Sequence, residues 1–345
     1  MATIDEATLR SFAEELLLAG GFAPDSAAQT ARLLVWANMR GADSHGVLRI
    51  PRYLEMIDLG IIDPVAMPET VHEFGAIAVI DAKRAPGAVG MNYATEKAIA
   101  LAKANGIGWC SARNITHSGA IGYFAERIAA AGLVAIGMSA SKPLMTYHGS
   151  RAEAVSTNPL AIAAPSSTND DPLLLDMSTA AVALGKVMAA RDAGREIPEG
   201  WGLDENGKRT TDPQTVKVLL PMAGPKGSGL SLMIEVLCSL LVRNAVIAPA
   251  LSGQAGGGFN GAMIALDPQA FGDEISFRAD VHALSMSISE LPKAAGTDRI
   301  LLPGQRGFET ARERKSKGIP LSAGTRKNLV TLARSLGAKI PAVLS

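Results

Sequence analysis

Most of the features that place a protein in an extreme class are missing from this sequence. Its 345 residues contain only two cysteines, Cys110 and Cys238, both in apolar segments. That excludes a disulfide framework or a zinc knuckle and makes a reducing compartment the expected one. Neither sign of charge is in excess, with 33 Lys and Arg against 33 Asp and Glu. No electrostatic footprint for nucleic acid or an anionic membrane follows, and a small, roughly neutral partner fits better. Long apolar runs are absent too. The longest, residues 230–242, is interrupted by Glu235 and falls short of the roughly 20 residues that cross a bilayer. Residues 1–10 lack a basic stretch followed by an apolar run, so no signal peptide is expected. The chain reads as a cytoplasmic protein with neither membrane nor nucleic acid as partner.

Two nucleotide signatures are also missing. In Gly224-Pro225-Lys226-Gly227-Ser228-Gly229 the lysine lacks the neighbours of a Walker A loop, which excludes phosphoryl transfer. A helix start beside Lys226 still suits a nucleotide diphosphate. Gly256-Gly257-Gly258-Phe259-Asn260-Gly261 matches GxGxxG, but a Ser/Gly/Gln loop precedes it and a β run, 262–266, follows it. The strand-to-helix context of a dinucleotide fingerprint is therefore reversed, and these glycines are expected to serve a close backbone approach. No compact His/Asp/Glu spacing for a metal is present, which weakens a hydrolase or lyase built on His45, His117 and Asp176.

What is present is a 48% hydrophobic chain long enough for two or three domains. Thr3 with Glu6 reads as a capping box for a first helix that ends near Gly20-Gly21. A second helix runs from Pro24-Asp25 toward Arg40-Gly41, and a third from 49 to 60 carries Ile50, Tyr53, Leu54 and Ile57 on one face. The period then shortens to β runs at 76–81, 107–112, 133–139, 160–164 and 173–176, with helices at 94–105, 123–131 and 180–191. Residues 192–218 read as a long surface loop. Leu230, Met233, Ile234, Leu237, Leu240 and Leu241 predict a buried helix, residues 275–289 a return to an α/β domain, and 309–317 and 322–336 two closing helices.

Reactive side chains concentrate in Arg40-Gly41-Ala42-Asp43-Ser44-His45-Gly46-Val47-Leu48-Arg49. An imidazole beside a hydroxyl and a carboxylate moves protons near neutral pH, and Arg49 can hold a carboxylate. Alternatively Asp43 and Ser44 merely cap a helix end, with His45 packed inside. A second histidine, His117, follows a β run in Ile115-Thr116-His117-Ser118-Gly119, as a proton-transfer group or as a turn histidine bonded to backbone. Asp176-Met177-Ser178-Thr179 reads first as a helix cap.

Together DSHGVLR, ITHSGAIGYFA, STNPLAIAAP, LDMSTAAVALGKV, GPKGSGL and GIPLS occur in the order and spacing of one family. The chain resembles the malate/L-lactate dehydrogenases of the non-Rossmann type over essentially its whole length. The resemblance implies an α/β fold whose NAD(P)-binding domain has a mixed, largely antiparallel sheet flanked by helices, plus a helical module from both chain ends. The implied division is 1–70 with 300–345 (helical module), 71–120 with 265–299 (α/β domain) and 121–264 (cofactor-binding domain). It implies a homodimer and NAD- or NADP-dependent interconversion of a 2-hydroxy acid and a 2-oxo acid. A cyclic 2-imino acid is the alternative substrate, and a nucleotide-binding module without turnover the more remote reading. His117, His45 and Ser44 become the implied catalytic residues, and Arg49, Thr157 and Asn158 the substrate residues. His45, Ser141, Leu175, Asp176, Met177, Lys226, Gly304 and Gln305 become the cofactor residues. The chain departs from the family pattern at Ser139-Ala140-Ser141-Lys142-Pro143 and at Tyr147-His148-Gly149-Ser150. Lys142 reads as an exposed loop lysine, or else as a cation for an additional anionic group.

Overall fold

The computed structural model describes residues 3–167 and 170–344. Residues 1–2 and 345 of the expected helical module, and 168–169 of the expected cofactor-binding segment, lie outside them. The chain opens with β1 (Thr3–Ile4), α1 (Glu6–Ala19), α2 (Pro24–Met39) and α3 (Ile50–Asp58). The cap of α1 is Asp5 rather than the expected Thr3, because the Asp5 carboxylate accepts from the Thr8 N–H at 2.9 Å. Thr3 is extended and pairs antiparallel with Pro320. Pro24 starts α2, where its missing N–H costs nothing.

The middle of the chain holds β2 (Glu69–Phe74), β3 (Ile77–Asp81), α4 (Gly87–Asn105), β4 (Ile107–Ile115), α5 (Gly122–Ala130) and β5 (Val134–Ser141). Then come β6 (Met145–Thr146), β7 (Glu153–Val155), β8 (Leu160–Ala164), β9 (Leu173–Met177), α6 (Leu184–Asp192), β10 (Gly202–Leu203) and β11 (Val218–Leu219). The last elements are α7 (Pro225–Glu235), α8 (Ile247–Leu251), β12 (Phe259–Leu266), α9 (Glu274–Ser289), α10 (Gln305–Lys317), β13 (Ile319–Pro320) and α11 (Ala323–Leu336).

A seven-stranded sheet, in the order β2-β3-β4-β12-β5-β8-β9, organises the molecule. Only its β3–β4 pairing is parallel, so the sheet is mixed and largely antiparallel, and helices flank it. β12 is hydrogen-bonded on both edges, to β4 and to β5, which joins the two middle segments in one layer. One face is covered by α4 and α5 through Ala94, Ala98, Phe124 and Ile128, packed with Ala112 and Met263. The approach is close: a Cβ on Gly108 would sit 2.0 Å from the Ala98 carbonyl oxygen. The other face carries Met138, Ala262 and Ile264 against Ile234 and Cys238. Both chain ends share a separate apolar cluster that includes Leu9, Phe12, Leu34, Ile50 and Leu329.

Two expectations are corrected here. Residues 192–218 are more than a surface loop, because Trp201 and Val216 pack on the apolar cluster of Met145, Val155, Val187 and Leu219. They supply β10 and β11 to a second sheet, of order β10-β11-β6-β7. The helix after Lys226 is buried on one side only, with Leu232, Met233, Leu240 and Leu241 exposed. Glu235, which interrupts its apolar run, is buried because its carboxylate accepts from the Val246 and Ile247 N–H groups at 2.9 and 3.0 Å and from Ser239 Oγ at 2.7 Å. No helix among the described residues is long and apolar enough to cross a membrane.

Candidate active site

The loop after β4 presents His117. Thr116 Oγ1 donates to the Ala85 carbonyl at 3.0 Å, and Ser118 Oγ donates to Ser139 Oγ at 3.2 Å, so both neighbours of the histidine are anchored. Opposite this loop, α2 ends and the chain makes two 3-10 turns, Asp43–His45 and Val47–Arg49. Asn38 closes them: its Oδ1 accepts from the Val47 N–H at 2.9 Å and its Nδ2 donates to Asp43 Oδ1 at 2.7 Å. Arg314 of α10 donates to both Asp43 oxygens, at 2.7 and 3.1 Å, and to the Asn38 carbonyl. Asp43 therefore does not cap the turn. Its carboxylate ties the turn to the far end of the chain.

Between the two loops the imidazoles of His45 and His117 stack, with ring centroids 5.8 Å apart and planes 16° from parallel. Ser44 Oγ lies 3.0 Å from His45 Nδ1, and Arg49 Nε donates to the Ser44 carbonyl at 2.7 Å. Tyr53 Oη is 2.8 Å from His117 Nδ1. Tyr53 was expected only as an apolar face of α3. Four residues after Arg49 it projects from the same side of the helix, and a buried phenol needs a hydrogen-bond partner, which is the signal that could have found it. A phenolic hydroxyl both donates and accepts, so Tyr53 can support either tautomer of His117.

His117, Arg49 and Phe259 line two cavities at once. The larger, of about 540 Å³, also touches Arg52, Tyr53, Arg84, Asn114, Lys142 and Gly256–Gly258. The Gly256-Gly257-Gly258 run thus faces this cavity, and a Cβ on Gly257 would sit 2.9 Å from Asn244 Nδ2, the close approach expected of it. The second cavity, of about 410 Å³, is lined by Ser44, His45, Ser141, Thr157, Asp176 and Met177, among others. Asp176 also borders a third cavity of about 340 Å³ that reaches Leu175, Arg40 and Gly304. Gly304, at φ 85°, is held there by the Arg40 guanidinium, which donates to its carbonyl at 3.2 Å and lies 3.7 Å from the centroid of the Phe308 ring.

Other expected residues lie elsewhere. Asn158 is buried, with Oδ1 accepting from the Ser141 N–H at 3.2 Å and Nδ2 donating to the Ser231 carbonyl at 3.0 Å, so it shapes the wall at Ser141 without reaching a cavity. Gln305 turns back to the Leu302 N–H and to Glu309, both at 3.1 Å. Lys226, exposed in the first turn of α7, lines none of the three cavities. Asp176 does not cap the helix that follows it: it belongs to β9, and its Oδ2 accepts at 3.1 Å from the N–H of Gly122, the first residue of α5. The helix that follows starts only at Leu184, without a side-chain cap. Among the described residues no group of three His, Cys, Asp or Glu converges as a metal site.

Burial dominates the electrostatics. It holds His117 well below the usual imidazole range, helped by the positive charge of Arg49 and by His45. It brings His45 down to about 4, with Arg49 again adding. Burial raises the Tyr53 phenol against the pull of Arg49, so this hydroxyl stays protonated. Asp176, which lines the second and third cavities, is pushed up to about 6 by desolvation, against the Gly122 N–H and Arg40.

These shifts set a pH dependence of folding. Both histidines have native pKa values below the unfolded 6.5, so their full contribution is present above pH 6.5 and is lost as pH falls toward about 4. Asp176 acts in the opposite sense between about 6 and 3.8, because the native state protonates first, and it offsets part of that loss. The melting temperature is expected to decline from pH 7 to pH 4.5, and less steeply in His45→Asn. Calorimetry showing equal declines in both proteins would remove His45 as a source.

Comparison with known proteins gives the family. A family model described as malate/L-lactate dehydrogenase matches residues 4–330. The NAD(+) ureidoglycolate dehydrogenase of Escherichia coli K12 is 35% identical over 324 residues, covering 92% of each chain. The crystal structure of malate dehydrogenase from Entamoeba histolytica superposes with a TM-score of 0.91 at 26% identity, covering 98% of this chain and 99% of that one. Δ1-piperideine-2-carboxylate reductase from Pseudomonas syringae superposes with a TM-score of 0.85 at 27% identity, covering 96% and 100%. The chain is an oxidoreductase and belongs to the malate/L-lactate dehydrogenase family.

Proposed function

We propose that this enzyme interconverts a 2-hydroxy acid and the matching 2-oxo acid by hydride transfer with NAD or NADP. The observation that carries the reading is the wall of His117, Arg49 and Phe259 shared by the two larger cavities. A proton-transfer group and a carboxylate-binding cation there face both an acid on one side and a cofactor on the other. The hydroxyl-lined cavity with Ser44, His45, Ser141, Thr157, Asp176 and Met177, extended at Leu175 and Gly304, suits a ribose- and amide-bearing cofactor. When bound, the nicotinamide supplies or accepts the hydride.

The chain's own residues do the rest. Arg49 holds the substrate carboxylate by charge-assisted hydrogen bonds, and His117 Nε2 takes the hydroxyl proton during oxidation or returns it during reduction. Tyr53 Oη fixes the His117 ring from Nδ1, while Ser44 fixes His45 beside it. A neutral His117 is the base that oxidation requires. In reduction, burial still lowers the His117 pKa, but a carboxylate arriving at Arg49 cancels the charge that adds to that lowering, which shifts His117 toward the protonated donor. Asn158 acts through the Ser141 backbone, and Lys226 and Gln305 lie outside these walls.

A homodimer is part of the proposal. Phe271, Ile275, Leu284 and Leu291, on and beside α9, leave apolar side chains in water that a second copy would cover, as do Leu232, Met233, Leu240 and Leu241. Free, buried Cys110 and Cys238 support the expected cytoplasmic location.

The test follows NADH and NADPH oxidation against a panel of 2-oxo acids and cyclic 2-imino acids, with light scattering of the same sample for chain number. Turnover of at least one 2-oxo acid is expected. Turnover of imino acids alone would move the enzyme to the imine-reductase alternative, and cofactor binding without any turnover would leave only a nucleotide-binding module.

A further inference from the structure

The larger cavity is more cationic than one carboxylate requires. Arg49, Arg52, Arg84 and Lys142 line it, and no Asp or Glu does. Arg49 stands beside His117 and belongs to the reacting end of the substrate. Arg52 is met by Glu55 at 2.6 Å, a carboxylate outside the lining. Among the described residues the Arg84 guanidinium has a neutral partner only, the Gly60 carbonyl at 2.9 Å. No ion pair among the described residues reaches Arg84 or Lys142.

The backbone beneath Arg84 is built for this place. Lys83, Arg84 and Asn114 have φ of 52°, 65° and 55°, a conformation that side-chain-bearing residues adopt at a cost. The Arg84 N–H donates to the Asn114 carbonyl at 2.8 Å, and its own carbonyl accepts from the Asp63 N–H at 2.9 Å. Asn114 Nδ2 donates to both Asp81 oxygens at 3.1 Å, and Asn114 Oδ1 accepts from Asn244 Nδ2 at 2.9 Å. The fully buried Asn260 accepts from the Asn114 N–H at 3.2 Å and from Asn244 Nδ2 at 2.8 Å. A network of amides thus fixes a strained turn that brings a guanidinium to the cavity edge. Lys142, which directly follows β5 at a position where the chain departs from its family's pattern, lines the same cavity. Like charges facing one cavity repel one another until an anion lies between them. At about 540 Å³ the cavity has room beyond a carboxylate and the reacting carbon.

We infer that Lys142 and Arg84 form a second anionic subsite, for the far end of a 2-hydroxy or 2-oxo acid that carries two anionic groups. This rests on the hydride-transfer reading above. Lys142 and Arg84 are then specificity-determining residues, and Arg49 keeps the carboxylate beside the reacting carbon.

Steady-state kinetics on matched 2-oxo acids of equal chain length test the subsite, one set ending in methyl, one in carboxylate and one in sulfonate. The wild type is expected to prefer the dianions by at least about tenfold in kcat/KM, carried by KM and weakened by added salt. In Lys142→Met and Arg84→Met that preference ratio is expected to fall by about tenfold or more, and Lys142→Arg to restore most of it. Carboxylate and sulfonate arms separate which terminal anion fits better. Calorimetric binding of unreactive dicarboxylates against matched monocarboxylates reads the same discrimination without turnover. Equal binding of the two, or a preference ratio unmoved in both methionine variants, overturns the subsite. Absence of turnover with every acid, alongside preferential dicarboxylate binding, overturns the hydride-transfer reading and leaves the subsite standing.

Discussion

Replacing His117 with alanine is expected to lower the rate of the chemical step by about 10²–10⁴-fold, while cofactor affinity stays near that of the wild type. Three observations carry the size and the selectivity of this effect. His117 is the histidine that lines both larger cavities, so its loss removes proton transfer at their junction. Its Nδ1 is occupied by Tyr53 Oη at 2.8 Å, which leaves Nε2 for the substrate oxygen. Of the groups proposed to hold the cofactor, Ser141, Asp176 and Met177 come from β5 and β9, which the substitution leaves alone. Single-turnover hydride transfer, paired with a fluorescence titration of the reduced cofactor, separates the two quantities. Near wild-type turnover in the variant would take His117 out of the mechanism. Equal losses in rate and cofactor affinity would instead make it a packing residue between the loops.

That a site of this kind could be read so far from sequence reflects where its parts lie in the chain. Ser44, His45 and Arg49 share two consecutive 3-10 turns, so their proximity is nearly local. His117 follows a segment that reads as a β run, and the loop that exposes it is marked by Ser118-Gly119. Tyr53 escaped because its function depends on a contact from α3 to the β4 loop that no periodicity encodes. Asp176 was read as a cap because its neighbours are hydroxyl residues before an alanine-rich stretch. Pairing with β8 through Ala161 extends the strand over it instead, and tertiary pairing overrides the local preference. The pairing of Asp43 is equally hidden from local sequence: Arg314, its partner, lies on α10 near the other end of the chain. The antiparallel sheet itself was legible only through the family likeness. Strand order, and above all the place of β12 between β4 and β5, depends on long-range pairing.

Arg49→Ala is expected to reduce kcat/KM for the acid substrate by about 10²–10⁴-fold, with little change in cofactor binding, because a charge-assisted carboxylate contact and the register of the reacting carbon are lost together. The same guanidinium also acts on protons. Its charge is the second cause, after burial, of the lowered His117 pKa, and it adds to burial at His45. Removing it leaves the desolvation in place but takes away the repulsion, so the His117 pKa must rise in the free enzyme. For oxidation, which needs the neutral imidazole, the acid limb of the kcat/KM profile is therefore expected to move to higher pH in Arg49→Ala than in the wild type. Arg49→Lys keeps the charge and loses the fork of donors, so it should restore the position of the acid limb while recovering only part of the rate. A pure substrate-anchoring role would lower the whole profile without displacing it. Unaltered kinetics on every acid the wild type accepts would dismiss Arg49 from the site altogether. A displaced limb with the rate loss concentrated in kcat/KM would establish that one residue both holds the substrate and sets the proton affinity of its catalytic neighbour.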